Sequence, residues 1–565
     1  MNGILLAFLV TLIGCINLDF YKFGRGEFGS WLKAQINNLK WGVPVAAILA
    51  YVYMPPLLFP DIIIPVGILL AINCAVTIVR PMKLQIVQVV GERKKPDLTR
   101  YKVPIAIIIL LIVLMVSAPI VPLFQTKTLH ELPNVIESNE KINSIDISHI
   151  RQVPIEFAYW KADKVIGDLG YKVQVGQINI QLINDHLYWV SPLELGNFWK
   201  WLKFKTSPGF VMVDAEDPEA KVERVDNLEL KYMKSAFFQK NVYRHAYQKY
   251  PFYRLSEITF ELDDDRNPRW VISASKPTVW FTGEQVLGVI IVDPVTGEME
   301  FHQKIPKWVD RVIPEVLAEE YNYWYGAYSN GFWNTKFSQK DMHVPTTSNG
   351  VTDVFAVRGP EGMYWFTGHT SPSLADKSLM GYSMMNTQTG EFVYYSNVSG
   401  YYNEDAAVSN ANSKVSNFQG YWGAQPIFYN LFGELTWVVP ILSSNSKLQR
   451  VALVHAETGY VVVEEKLTDS LAEYKEWLKE KGLEIETEAG TGEDAGYKTV
   501  EGMVSRINDD LIVLQNENNH IFKINMENNE AKITKEGDSV RIKYIETENT
   551  LVDVKEFDNL NFNFE

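Results

Sequence analysis

The sequence predicts three parts: an α-helical membrane domain of about four spans, an α+β repeat ectodomain, and a small C-terminal β-barrel of OB- or SH3-like type. In the ectodomain, helices are expected to pack on antiparallel hairpins. Three observations predict this. Long apolar runs are confined to the first fifth of the chain, a strand–turn–strand pattern recurs after it, and five short strand patterns close the sequence. At 565 residues the chain exceeds one ordinary core. The expected boundaries are 1–124 for the membrane domain, 125–305 for the first two repeat units and 306–482 for the next two with a trailing helix. A linker at 483–497 and the barrel at 498–565 complete the chain.

The expected spans are 4–18, 41–58, 62–79 and 103–124, the last carrying the run IAIIILLIVLMV. Met54-Pro55-Pro56 and Pro60 stop the helices between the second and third. Lys22, Arg25, Lys33 and Lys40 fall between the first pair. Arg80, Lys83, Arg93, Lys94, Lys95, Arg100 and Lys102 fall between the last pair. Basic loops stay on the cytoplasmic side, which predicts a multi-pass protein of the cell membrane with its C-terminal region extracytoplasmic. Net charge is −15 overall, yet residues 1–123 hold eleven Lys/Arg against five Asp/Glu. The acidic remainder argues against nucleic-acid binding. Cys15 and Cys74 are the only cysteines, so the region after residue 123 has no disulfide and no thiolate metal site. Leu12-Ile13-Gly14-Cys15 has the form of a lipoprotein box but lacks the basic start of such a signal.

Three later segments read as strand, Thr-Gly turn and strand. They are VLGVIIVDPVTGEMEFH with Asp293, Thr296 and Gly297; MGYSMMNTQTGEFVYYS with Asn386, Thr389 and Gly390; and QRVALVHAETGYVVVEEK with His455, Thr458 and Gly459. A degenerate copy starts at Asp214, with Ala220 where the glycine would stand. An Asp or Asn caps such a turn through backbone N–H groups, and glycine takes the positive φ that closes it. Ahead of each turn lies a strand with a tryptophan: Trp189, Trp270, Trp365 and Trp437. Candidate helices such as 155–169 and 306–320 precede the strands. This pattern resembles the PepSY domain family, whose hairpin turn reads D-x-x-T-G as in Asp293-Pro294-Val295-Thr296-Gly297. The resemblance covers about residues 150–465. It implies an extracytoplasmic module of regulation, protease inhibition or assembly, and it transfers no residue roles.

Residues 469–481 read as a helix with charged i,i+4 faces, and 484–496 as an acidic linker. The strand patterns of 499–557 predict the barrel, whose acidic balance argues against nucleic acid.

The search for chemistry finds no constellation. Gly24-Arg25-Gly26-Glu27-Phe28-Gly29 matches a dinucleotide fingerprint but follows an apolar span instead of a strand. Asp341, His343 and His369 are candidates for a metal site, although hydrogen-bonded loop histidines are the commoner meaning of such residues. Asp263, Asp264, Asp265 and Asn267 offer hard oxygens for calcium but lack the glycine and distal Glu of a calcium loop, so a strand-to-strand turn is expected. Aromatics crowd Tyr321, Tyr323, Trp324, Tyr325, Tyr328, Phe332 and Trp333, and again Tyr401, Tyr402, Tyr421 and Trp422. These are expected in the core between repeats, with inter-subunit contact as the competing use.

The resulting expectations are no enzyme, no cofactor, and no catalytic, cofactor-binding or metal residue. The expected partners are the lipid bilayer, a second copy in a homo-oligomer, and envelope proteins. The expected function is a scaffold or assembly protein of the bacterial cell envelope. The alternatives are a channel or transport-complex component, or a PepSY-type regulator of an envelope hydrolase.

Overall fold

A computed structural model describes residues 2–18, 27–88, 102–167, 169, 172–348, 351–352, 354–373, 376–483, 497–508, 510–515, 517–524, 529–545 and 551–562. It divides into a body (1–143, 151–430 and 434–483) and a second unit (144–150, 431–433 and 484–565).

Four meanders of antiparallel strands make up most of the body. In the first, Asn179–Ile183, His186–Leu195, Phe210–Asp214 and Glu223–Val225 pair in order, with Val173–Val175 on the other end of the long strand. The second is Arg254–Leu262, Pro268–Val279, Thr282–Val292 and Met299–His302. The third pairs Phe355–Gly359, Gly362–Thr370, Gly381–Asn386 and Phe392–Tyr395. The fourth pairs Ile427–Leu431, Glu434–Leu442, Leu448–His455 and Val461–Glu464.

The four tryptophans lock these units by one recurring device. Each stands opposite the residue just before its turn: Trp189 opposite Val213, Trp270 opposite Val292, Trp365 opposite Met385 and Trp437 opposite Val454. Each indole N–H donates to a carbonyl of the segment leading into that unit. The acceptors are Val153 (2.8 Å), Tyr232 (2.8 Å), Ile313 (2.9 Å) and Tyr402 (2.8 Å). The N–H groups of Val153, Tyr232, Ile313 and Tyr402 in turn reach the carbonyl of the first residue inside the turn: Ala215, Pro294, Thr387 and Ala456. Beyond these entry segments come the helices Ile155–Val165, Val242–Lys249, Glu315–Ala327 and Glu404–Lys414. Asn241 and Asn403 cap two of them by accepting from Arg244 N and Ala406 N.

The turns follow the same chemistry. Asp293 Oδ1 accepts from the N–H of Val295 and Thr296, Asn386 Oδ1 from Gln388 and Thr389, and His455 Nδ1 from Thr458. In the degenerate copy, Asp214 Oδ1 accepts from Glu216 and Asp217. Gly297 has φ +82°, and a Cβ there would run into the Tyr232 ring. Gly297→Ala should therefore cost at least the about 1–2 kcal/mol of left-handed backbone, read as a lower thermal midpoint of the body.

Two expectations about fold class are corrected. The repeat region is mostly antiparallel sheet and not α+β, because each unit sets one or two helices of 6 to 14 residues against four or more strands. The four-span domain is also corrected. Among the described residues one helix, Lys102–Phe124, is long and apolar enough to cross a membrane, with mean hydropathy 2.9. The apolar helix Gly3–Cys15, and the apolar stretch Ile63–Ile78 of the helix Ile63–Gln88, fall short of the roughly 17–20 residues a span requires. The run expected at 41–58 begins inside a helix, Phe28–Ile48, which carries Lys33, Asn37, Asn38 and Lys40. A π turn, Leu49–Tyr53, then ends at Met54 in the left-handed region. Amide groups bind these segments together: Asn38 Nδ2 donates to Asn73 Oδ1 (2.9 Å), and Asn73 Nδ2 donates to Ile16 O (2.5 Å). The multi-pass localisation, with an extracytoplasmic C-terminal region, is corrected with the span count. Lys22, Arg25, Arg93, Lys94, Lys95 and Arg100, on which orientation rested, lie outside the described residues, as do Gly24–Gly26 of the glycine motif and the linker 484–496.

In the second unit, Tyr497–Asn508, Leu511–Leu514, Glu517–Lys523, Leu551–Asn559 and Ser539–Ile545 close into a barrel in that order. Val504, Ile512, Leu514, Phe522, Val540, Ile542 and Val552 fill it.

Candidate functional site: an acidic cleft in the body

The helix Glu315–Ala327 turns one face into the core through Leu317, Ala318, Tyr321 and Trp324. Its other face, with residues 370–373, 376–377, 403 and 405, walls a cleft of about 610 Å³. That size lies within the range of about 300–1,000 Å³ usual for ligand sites. Among the described residues its charged lining is Glu319, Glu320, Asp376 and Asp405 against Lys377, with Tyr323 as the exposed aromatic.

Fixed partners hold two of these carboxylates. Thr352 Oγ1 donates to Glu319 Oε1 at 2.6 Å. Ser378 donates to Asp376 Oδ1 through both its N–H and its hydroxyl, and the Ser378 and Ser371 hydroxyls hold the Asp376 carboxyl below its ordinary range. Burial, then the charges of Glu284 and Glu319, pushes Glu320 up to about 7. The cleft therefore gains negative charge as pH rises through neutrality.

Behind the wall lies a buried polar chain. Asn322 Nδ2 donates to Ala318 O (2.8 Å), so its Oδ1 faces two donors, Ser383 Oγ (2.6 Å) and His369 Nε2 (2.8 Å). With Nε2 donating, His369 Nδ1 accepts from His343 Nδ1 at 2.8 Å, an assignment made from the network. Burial drives His343 down to about 4 and His369 well below its ordinary value. The structure thus brings together two of the three sequence candidates, through the pairing of Pro345 with His369. Both His369 nitrogens are used within the core. Asp341 stays outside at φ +52°, its backbone carbonyl taking the Ser329 hydroxyl. The other candidates, Asp263 to Asn267, form a strand-to-strand turn: Asp263 Oδ1 accepts from the N–H of Asp265 and Asn267. Of the aromatic crowd, Tyr321, Trp324 and Tyr325 are buried, whereas Trp333 is exposed.

The expectation of no enzyme, which rested on the lack of any constellation, is corrected by a cluster that sequence reasoning missed. His186 Nε2 lies 2.9 Å from Asp214 Oδ2, and His186 Nδ1 lies 2.6 Å from Glu216 Oε2. Glu216 is buried. A histidine between carboxylates has the donor types of acid–base or metal chemistry. Asp214 was visible as the head of the degenerate turn, and that turn is what carries Glu216 to the histidine.

No family model matches the chain, and no curated protein matches it. Among solved structures, it is similar to cobalt-substituted Synechocystis ACO at 9% identity and TM-score 0.13, covering 52% of this chain and 50% of that one. It is also similar to Cellvibrio cellulosa alpha-L-arabinanase at 11% identity and TM-score 0.17, covering 53% and 79%. The chain spans about half the length of the first of these. At such TM-scores the likeness carries no argument about this chain.

Proposed function

We propose that the chain is an assembly protein whose body captures a basic segment of a partner protein in the acidic cleft. The observation that carries this is the cleft's described lining, four carboxylates from three segments against one lysine, with the Tyr323 ring beside them. A lysine or arginine stem lies favourably along an aromatic face while its head meets carboxylates. A homo-oligomer supplies such a segment from its own sequence, since residues 1–123 carry eleven Lys/Arg.

The test is binding of a fluorescent lysine- and arginine-rich peptide to the full chain. The triple variant Glu319→Gln, Asp376→Asn, Asp405→Asn should bind about tenfold or more weakly, a difference of about 1.4 kcal/mol. Added salt should weaken wild-type binding. Affinity should rise with pH through about 7 as Glu320 loses its proton. Equal binding by the triple variant rejects the cleft as the site. Sedimentation of the purified chain as a monomer at all concentrations rejects self-association.

A further inference from the structure

The helix Lys102–Phe124 is apolar on all sides, and none of its most apolar window is buried. Met115 is 79% and Phe124 80% exposed. Its 23 residues extend about 34 Å, against about 30 Å of bilayer hydrocarbon.

Where this helix meets the body, its geometry is fixed. Gln125 alone separates it from the helix Thr126–Glu131. Leu129 of that short helix is 1% exposed, and the His130 ring donates through Nδ1 to Tyr325 O at 2.8 Å. Thr126 lies against Gly331, which opens the short helix Gly331–Lys336. On this neighbouring segment Trp333 is 66% and Phe337 80% exposed. Their rings stack on each other at 5.8 Å, and Phe332 meets Trp333 edge-on at 5.3 Å. Lys336 lies 5.8 Å from the Phe332 ring centroid. Three aromatic rings thus cluster outside the core, next to the exit of an apolar helix that packs on the helix Ile63–Gln88 along one side and is otherwise bare.

We propose that Trp333 and Phe337 form a lipid-contacting collar, seated at the boundary between headgroups and acyl chains where Lys102–Phe124 leaves the body. The occupant is a bilayer because the collar is continuous with a helix of bilayer length whose most apolar window has no buried residue. Indole and phenyl rings flanked by lysine are the side chains that prefer that boundary. Trp333 supplies a ring with one N–H, apolar at one side and wet at the other. This inference does not depend on what the acidic cleft binds.

The test uses the full chain with Cys15→Ala and Cys74→Ala, reconstituted into phosphatidylcholine/phosphatidylglycerol vesicles. Spin labels are placed at Phe337→Cys, at Trp333→Cys and, as a control, at Glu480→Cys, which is exposed on another helix. Power saturation compares access of oxygen with access of a nickel chelate. The collar labels should be shielded from nickel at a depth of about 5–10 Å, and the control label should be open to it. Positions 333 and 337 are exposed, so neither substitution opens the core, and each label checks the other. Nickel access at both positions equal to that at 480 overturns the proposal. So does release of the chain from vesicles by a carbonate wash.

Discussion

Replacing Trp365 by alanine should lower the unfolding free energy of the body by about 3–5 kcal/mol. The indole is 1% exposed, pairs across the sheet with Met385, and donates to Ile313 O at 2.9 Å. The Arg311 guanidinium lies 4.6 Å over its ring. Truncation removes the ring, leaves a cavity, and strands the Ile313 carbonyl that joins the helix Glu315–Ala327 to its sheet. Trp365→Phe separates these effects. It keeps most of the volume and removes the donor, so its cost should be about 1–3 kcal/mol, that of an unpaired buried acceptor. The same ranking is expected at Trp437, whose N–H reaches Tyr402 O. All fifteen tryptophans lie within the body, so denaturant curves followed by indole fluorescence report on the body alone. A Trp365→Ala midpoint equal to wild type would show that the recurring indole bond does not hold these units together.

Sequence made the hairpins legible because their chemistry is local. Asp293, Thr296 and Gly297 act within five residues, the first by accepting backbone N–H groups and the last by taking a positive φ. The tryptophans were visible as a spacing, but their acceptors were not. Val153 precedes Trp189 by 36 residues and Ile313 precedes Trp365 by 52, so only folding reveals the bond. The spans were over-read because an apolar run says nothing of where its helix begins. The run at 41–58 belongs nearly half to a helix that starts at Phe28 and ends at Ile48, and a π turn carries it only as far as Tyr53. The cleft was illegible for a different reason. Glu319, Asp376 and Asp405 come from three segments, and no one-dimensional pattern joins them. The pairing of His343 with His369 waited on strand register.

Glu261→Gln should stabilise the protein relative to wild type at pH 8 and do much less at pH 5. Glu261 is 1% exposed, and burial pushes its carboxyl up to about 7. Its neighbour Asp310 is raised well above the ordinary range by burial and by the Glu261 charge. A carboxyl with a raised folded pKa holds its proton in the native state after the unfolded chain has lost it. Between about pH 4.5 and 7 the native state binds more protons, so stability falls as pH rises across that window. A shift of this size amounts to about 3 kcal/mol for Glu261 once pH exceeds 7. The buried histidines act in the opposite sense. His343, lowered to about 4, adds stability as pH rises from about 4 to 6.5, so the wild-type profile is a sum of opposing slopes. The difference between Glu261→Gln and wild type isolates the carboxyl. Glutamine mimics the protonated acid: one end can accept from Asp310 N–H and the other donate to the Thr259 hydroxyl, the groups that Glu261 now holds at 2.9 and 2.6 Å. Fluorescence-detected denaturation at pH 5 and pH 8 gives the four free energies. A variant-minus-wild-type difference that stays constant between the two would mean that Glu261 titrates alike in both states, and the buried carboxyl pair would then have no part in the pH dependence of the body.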